Sequence, residues 1–173
     1  MFSGISQRFW INLLGFQLAW WCAILLREDG LLVMALLLLA HLMLHRQPGH
    51  ELKAILLCGC TGFAIDLVLT RMGLFIFPEG HWPPVWLLCL WFCFSATLRQ
   101  SLSYFREHAL LASGCGAVAG SLTYLAAARL GAVTFGVSEL AMFGMLLVIW
   151  MVLFPLLLKL SHSEIREVWG DAH

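Results

Sequence analysis

The sequence predicts an all-α membrane protein, a polytopic helix bundle with about six transmembrane helices. Hydrophobic residues make up 61% of the chain and charged residues only 12%, a balance that soluble domains of ordinary composition do not approach. The apolar runs are continuous rather than alternating, and short polar gaps separate them. A backbone in hydrocarbon must satisfy its own hydrogen bonds, so continuous runs favour helices over a barrel.

The apolar segments are the predicted spans of one integral membrane domain over residues 1–173. They lie near 9–26, 31–44, 54–70, 85–98, 109–128 and 139–158. The first lacks the small-residue cleavage site of a signal peptide, so we interpret it as a retained span. Several are shorter than the roughly 20 residues that cross a bilayer, which requires extended ends or local thinning. Segment 31–44 is alternatively a re-entrant or interfacial piece.

The basic residues fall unevenly on alternate sides of these spans. One side holds Arg8, Arg46, Lys53, Arg99, Arg106, Lys159 and Arg166, and the other holds Arg27, Arg71 and Arg129. The positive-inside rule then places both termini in the cytoplasm, with short outer loops. Ten Lys and Arg balance ten Asp and Glu, so no global charge favours a nucleic-acid partner.

The third and fifth segments share a pattern that indicates an internal repeat. The third contains Gly62, Asp66, Arg71 and Gly73, and the fifth contains Gly120, Tyr124, Arg129 and Gly131 at the same spacing. Both copies would run in the same direction, so a true repeat would relate two helical hairpins by an axis along the membrane normal. Chance matching in a leucine-rich background is the alternative.

Asp66 is the sharpest functional candidate, because a carboxylate inside a span costs about 2.5 to 3.5 kcal/mol on insertion scales. We expect it to face protein or water and to pair with Arg71 or Arg129. With Tyr124, these residues form a candidate intramembrane polar site near the outer leaflet. A buried ion pair that fixes helix register is the structural alternative, and no catalytic residue is assigned.

The first segment contains three side chains with polar groups at hydrocarbon depth, namely Asn12, Gln17 and Trp20. Asn12 and Trp20 share one helix face with Phe16, whereas Gln17 points more toward Trp21. These residues are secondary candidates for polar contacts with a ligand. Hydrogen bonding between neighbouring helices is the simpler interpretation.

A polar stretch between the fourth and fifth segments mixes arginines, hydroxyls and aromatics. Arg99, Gln100 and Arg106 are candidate lipid-headgroup contacts, because arginine binds phosphate oxygens through paired hydrogen bonds. Ordinary positive-inside anchoring needs only charge and is the simpler interpretation.

Metal binding receives little support. His41 and His45 lie one helical turn apart, the spacing with which two imidazoles bind one metal, but two ligands do not make a site. We interpret this pair as solvated. The six cysteines fall inside apolar segments without ligand spacing or a disulfide framework. No metal or cofactor is therefore assigned.

Three stretches carry a resemblance to a known family. They are Asn-Leu-Leu-Gly-Phe-Gln-Leu-Ala-Trp at 12–20, Phe-Ser-Ala-Thr-Leu-Arg-Gln-Ser-Leu at 94–102, and Gly-Ser-Leu-Thr-Tyr with Arg-Leu-Gly-Ala at 120–132. On these residues the chain resembles, over nearly its full length, a family of small bacterial inner-membrane proteins known only as a domain of unknown function. Its members often carry Asn-His where this chain has Arg99-Gln100, so a role for that histidine does not carry over.

The resemblance implies a bacterial inner-membrane location and a link to membrane acyl chains. The genes of that family often lie near methyltransferases similar to cyclopropane-fatty-acid synthase and near flavin-dependent oxidoreductases. We therefore expect a non-catalytic lipid-binding or accessory protein, with membrane lipid as ligand and acyl-chain-modifying enzymes as indirect partners.

Two alternatives stay open at this point. A membrane-embedded enzyme would use Asp66 as acid or base on a lipid substrate, with an arginine on the headgroup phosphate. A small transporter built on parallel repeats would need a continuous polar path across the bilayer.

Overall fold

The computed structural model describes residues 2–170, with side chains described over 9–162. The α-helices are α1 (Phe2–Leu26), α2 (Leu31–Leu44), α3 (Pro48–Arg71), α4 (Val85–Leu98), α5 (Ala109–Arg129) and α6 (Glu139–Gly170). Two short strands, β1 (Phe75–Ile76) and β2 (Thr134–Phe135), and two 3-10 segments, Arg27–Gly30 and Ser103–Glu107, complete the order. The side chains of Arg8 and Arg166, and the two chain ends of the predicted orientation, lie outside these ranges.

Helix α4 is the centre of the bundle and contacts α1, α2, α3 and α6. Its sequence, VWLLCLWFCFSATL, is apolar on nearly every face, which is typical of a helix surrounded by other elements. Helices α5 and α6 form a hairpin, and α6 also contacts α3. The bundle is thus built around one short helix that is buried on several sides.

Glycines on α3 and α5 allow large rings to pack against the helix backbone. A Cβ placed at Gly62 would collide with the ring of Trp91, and one placed at Gly120 would collide with the ring of Trp150. The two indoles stack face to face, with centroids 5.7 Å apart and planes 10° apart. Small residues permit such close approach of helices where no aqueous hydrophobic force drives association.

The two predicted repeat units end in the same way. Gly73 and Gly131 have φ of 73° and 77°, the left-handed conformation that commonly closes a helix. Each following N–H reaches back across the last turn, from Leu74 to Leu69 O at 2.9 Å and from Ala132 to Ala127 O at 3.0 Å.

Strands β1 and β2 then pair as an antiparallel ribbon. The register places Phe75 opposite Phe135 and Ile76 opposite Thr134. Arg27 Nη2 donates to Gly131 O at 2.6 Å, which brings the first 3-10 segment to the same end of the bundle. We call this end of the bundle the ribbon end. The other end, where α3 begins, is called the Glu51 end.

Three helices are long and apolar enough to cross a membrane: Pro48–Arg71, Ala109–Arg129 and Glu139–His162. Over the residues described, length and hydropathy therefore support three spans rather than the predicted number of about six. Helices α2 and α4 have 14 residues each, about 21 Å of rise against a hydrocarbon core of about 30 Å. Part of α1 falls outside the described side chains.

Large apolar side chains cover the outer surface of the helices. Leu110 is 91% exposed, Leu44 82% and Leu140 81%. Exposed apolar side chains in such number favour contact with lipid or with another apolar partner. The surface and the three candidate spans together fit an apolar solvent around the bundle.

Candidate functional site

Asp66 lies at the meeting point of three helices, with only 2% of its surface exposed. Trp91 on α4 donates its indole N–H to Asp66 Oδ2 at 2.6 Å. The hydroxyl of Tyr124 on α5 lies 2.8 and 2.7 Å from the two carboxylate oxygens. The carboxylate is thus satisfied by two aromatic donors, and the structure brings together two of the four residues in the predicted polar site.

The predicted arginine partners of Asp66 lie elsewhere, so that part of the prediction is wrong. The Arg71 guanidinium sits 4.5 Å from the ring centre of Trp82. Arg129 Nη2 pairs with Glu139 Oε2 at 2.6 Å. Both arginines occupy the last residue of their helix, and long cationic side chains there extend toward the polar boundary rather than into the bundle.

Tyr124 and Trp91 belong to the wall of a cavity of about 260 Å³ between α1 and α5. Asp66 is not among the lining residues and lies behind this wall. The wall is predominantly apolar and rich in aromatic rings, which include Phe16, Trp20, Trp86, Phe94, Trp150 and Phe154. Such a wall favours an apolar ligand.

Two indole N–H groups of this wall have no hydrogen-bond partner among the described residues. They belong to Trp20, which is 8% exposed, and to Trp86, which is 1% exposed. A buried donor without a partner costs about 1–3 kcal/mol, so native proteins rarely leave one unpaired without a reason. Each of the two indole nitrogens is covered by surrounding protein atoms, so turning the ring toward the cavity would be required for a ligand oxygen to accept its hydrogen bond.

The cavity is elongated along α4. Its lining includes Trp86 near the start of this helix and Thr97 near its end, a separation of about 17 Å by helical rise. Trp86 lies at the ribbon end, as does Trp20 near the end of α1. The unpaired donors thus stand at one end of an otherwise apolar channel.

A second buried carboxylate, Glu51 in the first turn of α3, is 0% exposed. Its Oε2 lies 3.3 Å from Arg99 Nη1 and 3.4 Å from His45 Nε2, and its Oε1 lies 3.0 Å from His41 Nε2. The predicted solvation of the histidines is wrong, because their side chains are only 13% and 21% exposed. No group of three or more His, Cys, Asp or Glu among the described residues has the geometry to hold a metal.

The candidate headgroup residues separate into two environments. The Arg99 side chain is 10% exposed and engaged with Glu51, so its assignment to a lipid headgroup is wrong. Gln100 is half-buried at the same end. Arg106 is 48% exposed and pairs with Glu107 at 3.2 Å. The short connection after α4 returns the chain inward, which buries Arg99 and leaves Arg106 outside.

The polar residues of α1 also separate. Asn12 Oδ1 accepts a hydrogen bond from Ser101 Oγ at 2.6 Å, and its Nδ2 donates to Ala96 O at 3.2 Å. This is a helix-to-helix contact of the kind expected for a buried amide. Gln17 is exposed, and Trp20 is a buried cavity residue.

Sequence reasoning missed Glu51 and Trp91 as partners in these networks. The two histidines, one helical turn apart, were a usable signal for an acidic partner. Only three residues link α2 to α3, so the histidines must lie near the start of α3, where Glu51 stands. Trp91 had no comparable signal, since it is one aromatic among many in an apolar helix.

The fold and the cavity define a class: an α-helical bundle with three candidate membrane spans and an aromatic cavity between its helices. The chain belongs to a family described as proteins of unknown function, DUF2878, whose profile matches residues 9–156. No curated protein and no solved structure matches the chain significantly.

Proposed function

We propose that this protein is a polytopic membrane protein that binds one apolar chain of a membrane lipid in the cavity between α1 and α5. The observation that carries the proposal is the apolar cavity itself, whose wall is rich in aromatic rings. Its role is non-catalytic, as a lipid-binding or accessory protein for enzymes that modify membrane acyl chains. That partnership rests on the family resemblance of the sequence.

The proposed setting is the bacterial inner membrane, with both termini in the cytoplasm. Helices α1, α2 and α4 join the three longer helices as spans, and their flanking 3-10 and turn residues extend the shorter ones. The excess of basic residues on the Glu51 end supports this orientation.

The size of the cavity favours a single hydrocarbon chain. About 260 Å³ is below the roughly 300–1,000 Å³ of typical small-molecule sites. The elongated form along α4 accommodates a narrow ligand better than a compact one. A lipid with two chains would therefore place one of them in the cavity and leave the other in the bilayer.

The indole donors support an orientation for the bound chain. Trp20 and Trp86 lie at the ribbon end, and rotation of either indole toward the cavity would let an ester or carboxyl oxygen accept its hydrogen bond. The hydrocarbon would then extend toward Thr97. Trp and Tyr suit such boundaries because one part of the side chain is apolar and another is polar.

The position of Asp66 supports a positioning role rather than acid or base catalysis. The carboxylate holds the rings of Tyr124 and Trp91, and these rings meet the ligand space. A general acid or base must come within hydrogen-bond reach of its substrate. Asp66 is 2% exposed and separated from the cavity by its own partners.

Filling the cavity tests the proposal. Ala119 lines the cavity, whereas its neighbour Val118 on the same helix is 51% exposed on the outer face. We expect native mass spectrometry of purified Ala119→Phe to show much less bound lipid than wild type. Val118→Phe, which adds a ring outside the cavity, should retain it. Equal lipid retention by wild type and Ala119→Phe, both folded, would overturn the proposal.

A cellular measurement tests the accessory role separately. Membranes from cells without the gene should show an altered acyl-chain profile, which wild type and Val118→Phe restore and Ala119→Phe does not. An unchanged profile in the deletion strain would remove the link to acyl-chain modification while leaving lipid binding to the measurement on purified protein.

A further inference from the structure

The Glu51 end contains a second and larger cavity, with a volume of about 800 Å³. It lies between α1, α2 and the turn that follows α4, and Phe16 on α1 separates it from the aromatic cavity because it lines both. We infer that this cavity binds a phosphate-bearing amphiphile, with the phosphate held at its basic mouth and the acyl part held in its apolar interior. Apart from Phe16, this site rests on residues that the proposed function does not use.

The charge of the lining supports an anionic group. His41, His45 and Arg46 line the cavity, and no carboxylate is among the described lining residues. The nearby acid, Glu51, is fully buried and already faces Arg99 at 3.3 Å. An incoming anion therefore meets basic groups without an opposing carboxylate in the wall.

Glu51 also fixes the histidine rings. His45 Nδ1 accepts the backbone N–H of Gln47 at 3.3 Å, and its Nε2 lies 3.4 Å from Glu51 Oε2. His41 is held on the same carboxylate through Nε2, and the two rings stack with centroids 5.9 Å apart. The basic mouth is thus pre-organised by a buried ion pair, which lowers the entropy lost on binding.

Neutral donors complete the mouth. The amide of Gln100 and the hydroxyl of Tyr104 line the same cavity, whereas the Ser103 hydroxyl is already engaged with Gln100 O at 2.6 Å. Phosphate has several acceptor oxygens and favours such a combination of cations and neutral donors. Arg46 is exposed at this mouth and is free to turn toward a headgroup.

The interior of the cavity is apolar, which favours an acylated anion over a soluble phosphate. Its wall includes Phe9, Phe16, Leu37 and Leu38. Gly15 lies on the same wall, and a Cβ placed there would meet no atom within 4 Å. The open space beside Gly15 is therefore room for a chain rather than a packing contact between helices.

Binding to purified protein in detergent tests the inference with three probes. Phosphatidic acid carries both parts, glycerol 3-phosphate carries only the phosphate, and diacylglycerol carries only the chains. We expect phosphatidic acid to raise the unfolding temperature and the other two to raise it much less. An equal shift with glycerol 3-phosphate would identify a soluble phosphate site and overturn the amphiphile. An equal shift with diacylglycerol would overturn the role of phosphate.

Two variants locate the site. Arg46→Gln should weaken phosphatidic acid binding about tenfold, as expected for loss of one charge-assisted contact. Lys159→Gln, which removes an exposed positive charge near the same end without touching a lining residue, should bind as wild type. Gly15→Leu should block the interior, whereas Gly144→Leu, at another open glycine, should not. Wild-type binding by both Arg46→Gln and Gly15→Leu would overturn the inference.

Discussion

Asp66 and Tyr124 occupy equivalent positions of the two repeat units, 58 residues apart, and they contact each other directly. The same relationship holds at the ribbon, where Ile76 pairs with Thr134 at the same separation. Contacts between equivalent positions are what a two-fold axis between two helical hairpins produces. The repeat predicted from spacing is therefore a useful description of how these hairpins meet, and it remains a proposal about their origin.

The Asp66 network should contribute to stability. We expect Asp66→Asn to lower the free energy of unfolding by about 1–3 kcal/mol, because the amide keeps only one acceptor oxygen for the two donors, Trp91 and Tyr124. Asp29→Asn, at an exposed position, should change it by less than about 0.5 kcal/mol. Reversible unfolding in mixed micelles measures both. A stable Asp66→Asn protein that loses lipid would instead place Asp66 in ligand binding.

The glycine at the α5–α6 contact should not tolerate a methyl group. Gly120→Ala would push against the ring of Trp150, and we expect a loss of about 1–3 kcal/mol from overpacking. Gly114→Ala on the same helix meets no atom within 4 Å and should be neutral or slightly stabilising. Unfolding of the two variants side by side gives the comparison. Equal stability of the two would mean that Trp150 moves aside without loss.

Removing the charge of Glu51 should destabilise the Glu51 end of the bundle. Glu51→Gln leaves the buried Arg99 guanidinium without its counter-charge, and we expect a loss of about 3–5 kcal/mol. The double variant Glu51→Gln, Arg99→Leu should recover much of this loss, because no unpaired charge remains. Glu107→Gln, whose side chain is 74% exposed, is the control. Additive losses in the double variant would contradict direct coupling of the two residues.

The proposed orientation predicts which end is accessible from outside the cell. In a cysteine-free background, His81→Cys in the exposed loop before α4 should react with a membrane-impermeant maleimide applied to intact cells. Glu107→Cys at the Glu51 end should react only after the membrane is permeabilised. The reverse labelling pattern would mean that the termini lie outside.

The parts of the site that sequence reasoning found are those with a local signal. Asp66 is a lone acid in an apolar segment, and Tyr124 followed from the repeat spacing. Glu51 stands in the first turn of its helix, where acids are common because they complement the helix dipole, so it resembled a solvated start. The prediction that Asp66 pairs with Arg71 or Arg129 was wrong, because opposite charge alone does not show where a side chain points. Arginines at helix ends extend outward.

The fold shows the same division between local and non-local information. Segment 31–44 was predicted with the bounds that α2 has, and the closing glycines of α3 and α5 were recognised as part of a pattern. The central place of α4 and the aromatic cavity depend on contacts between residues far apart in the chain. Hydropathy alone does not distinguish a helix surrounded by protein from one surrounded by lipid.

The distance along the chain between Asp66 and Tyr124 also bears on biosynthesis. In the proposed membrane setting, a ribosome delivers α3 to the membrane before α5 exists, so the carboxylate would enter the bilayer without its hydroxyl partner. Trp91 arrives in between and offers one hydrogen bond. Until the α5–α6 hairpin is synthesised, the Asp66 carboxylate would therefore lack one of its two donors. Packing of that hairpin would complete the hydrogen-bond network.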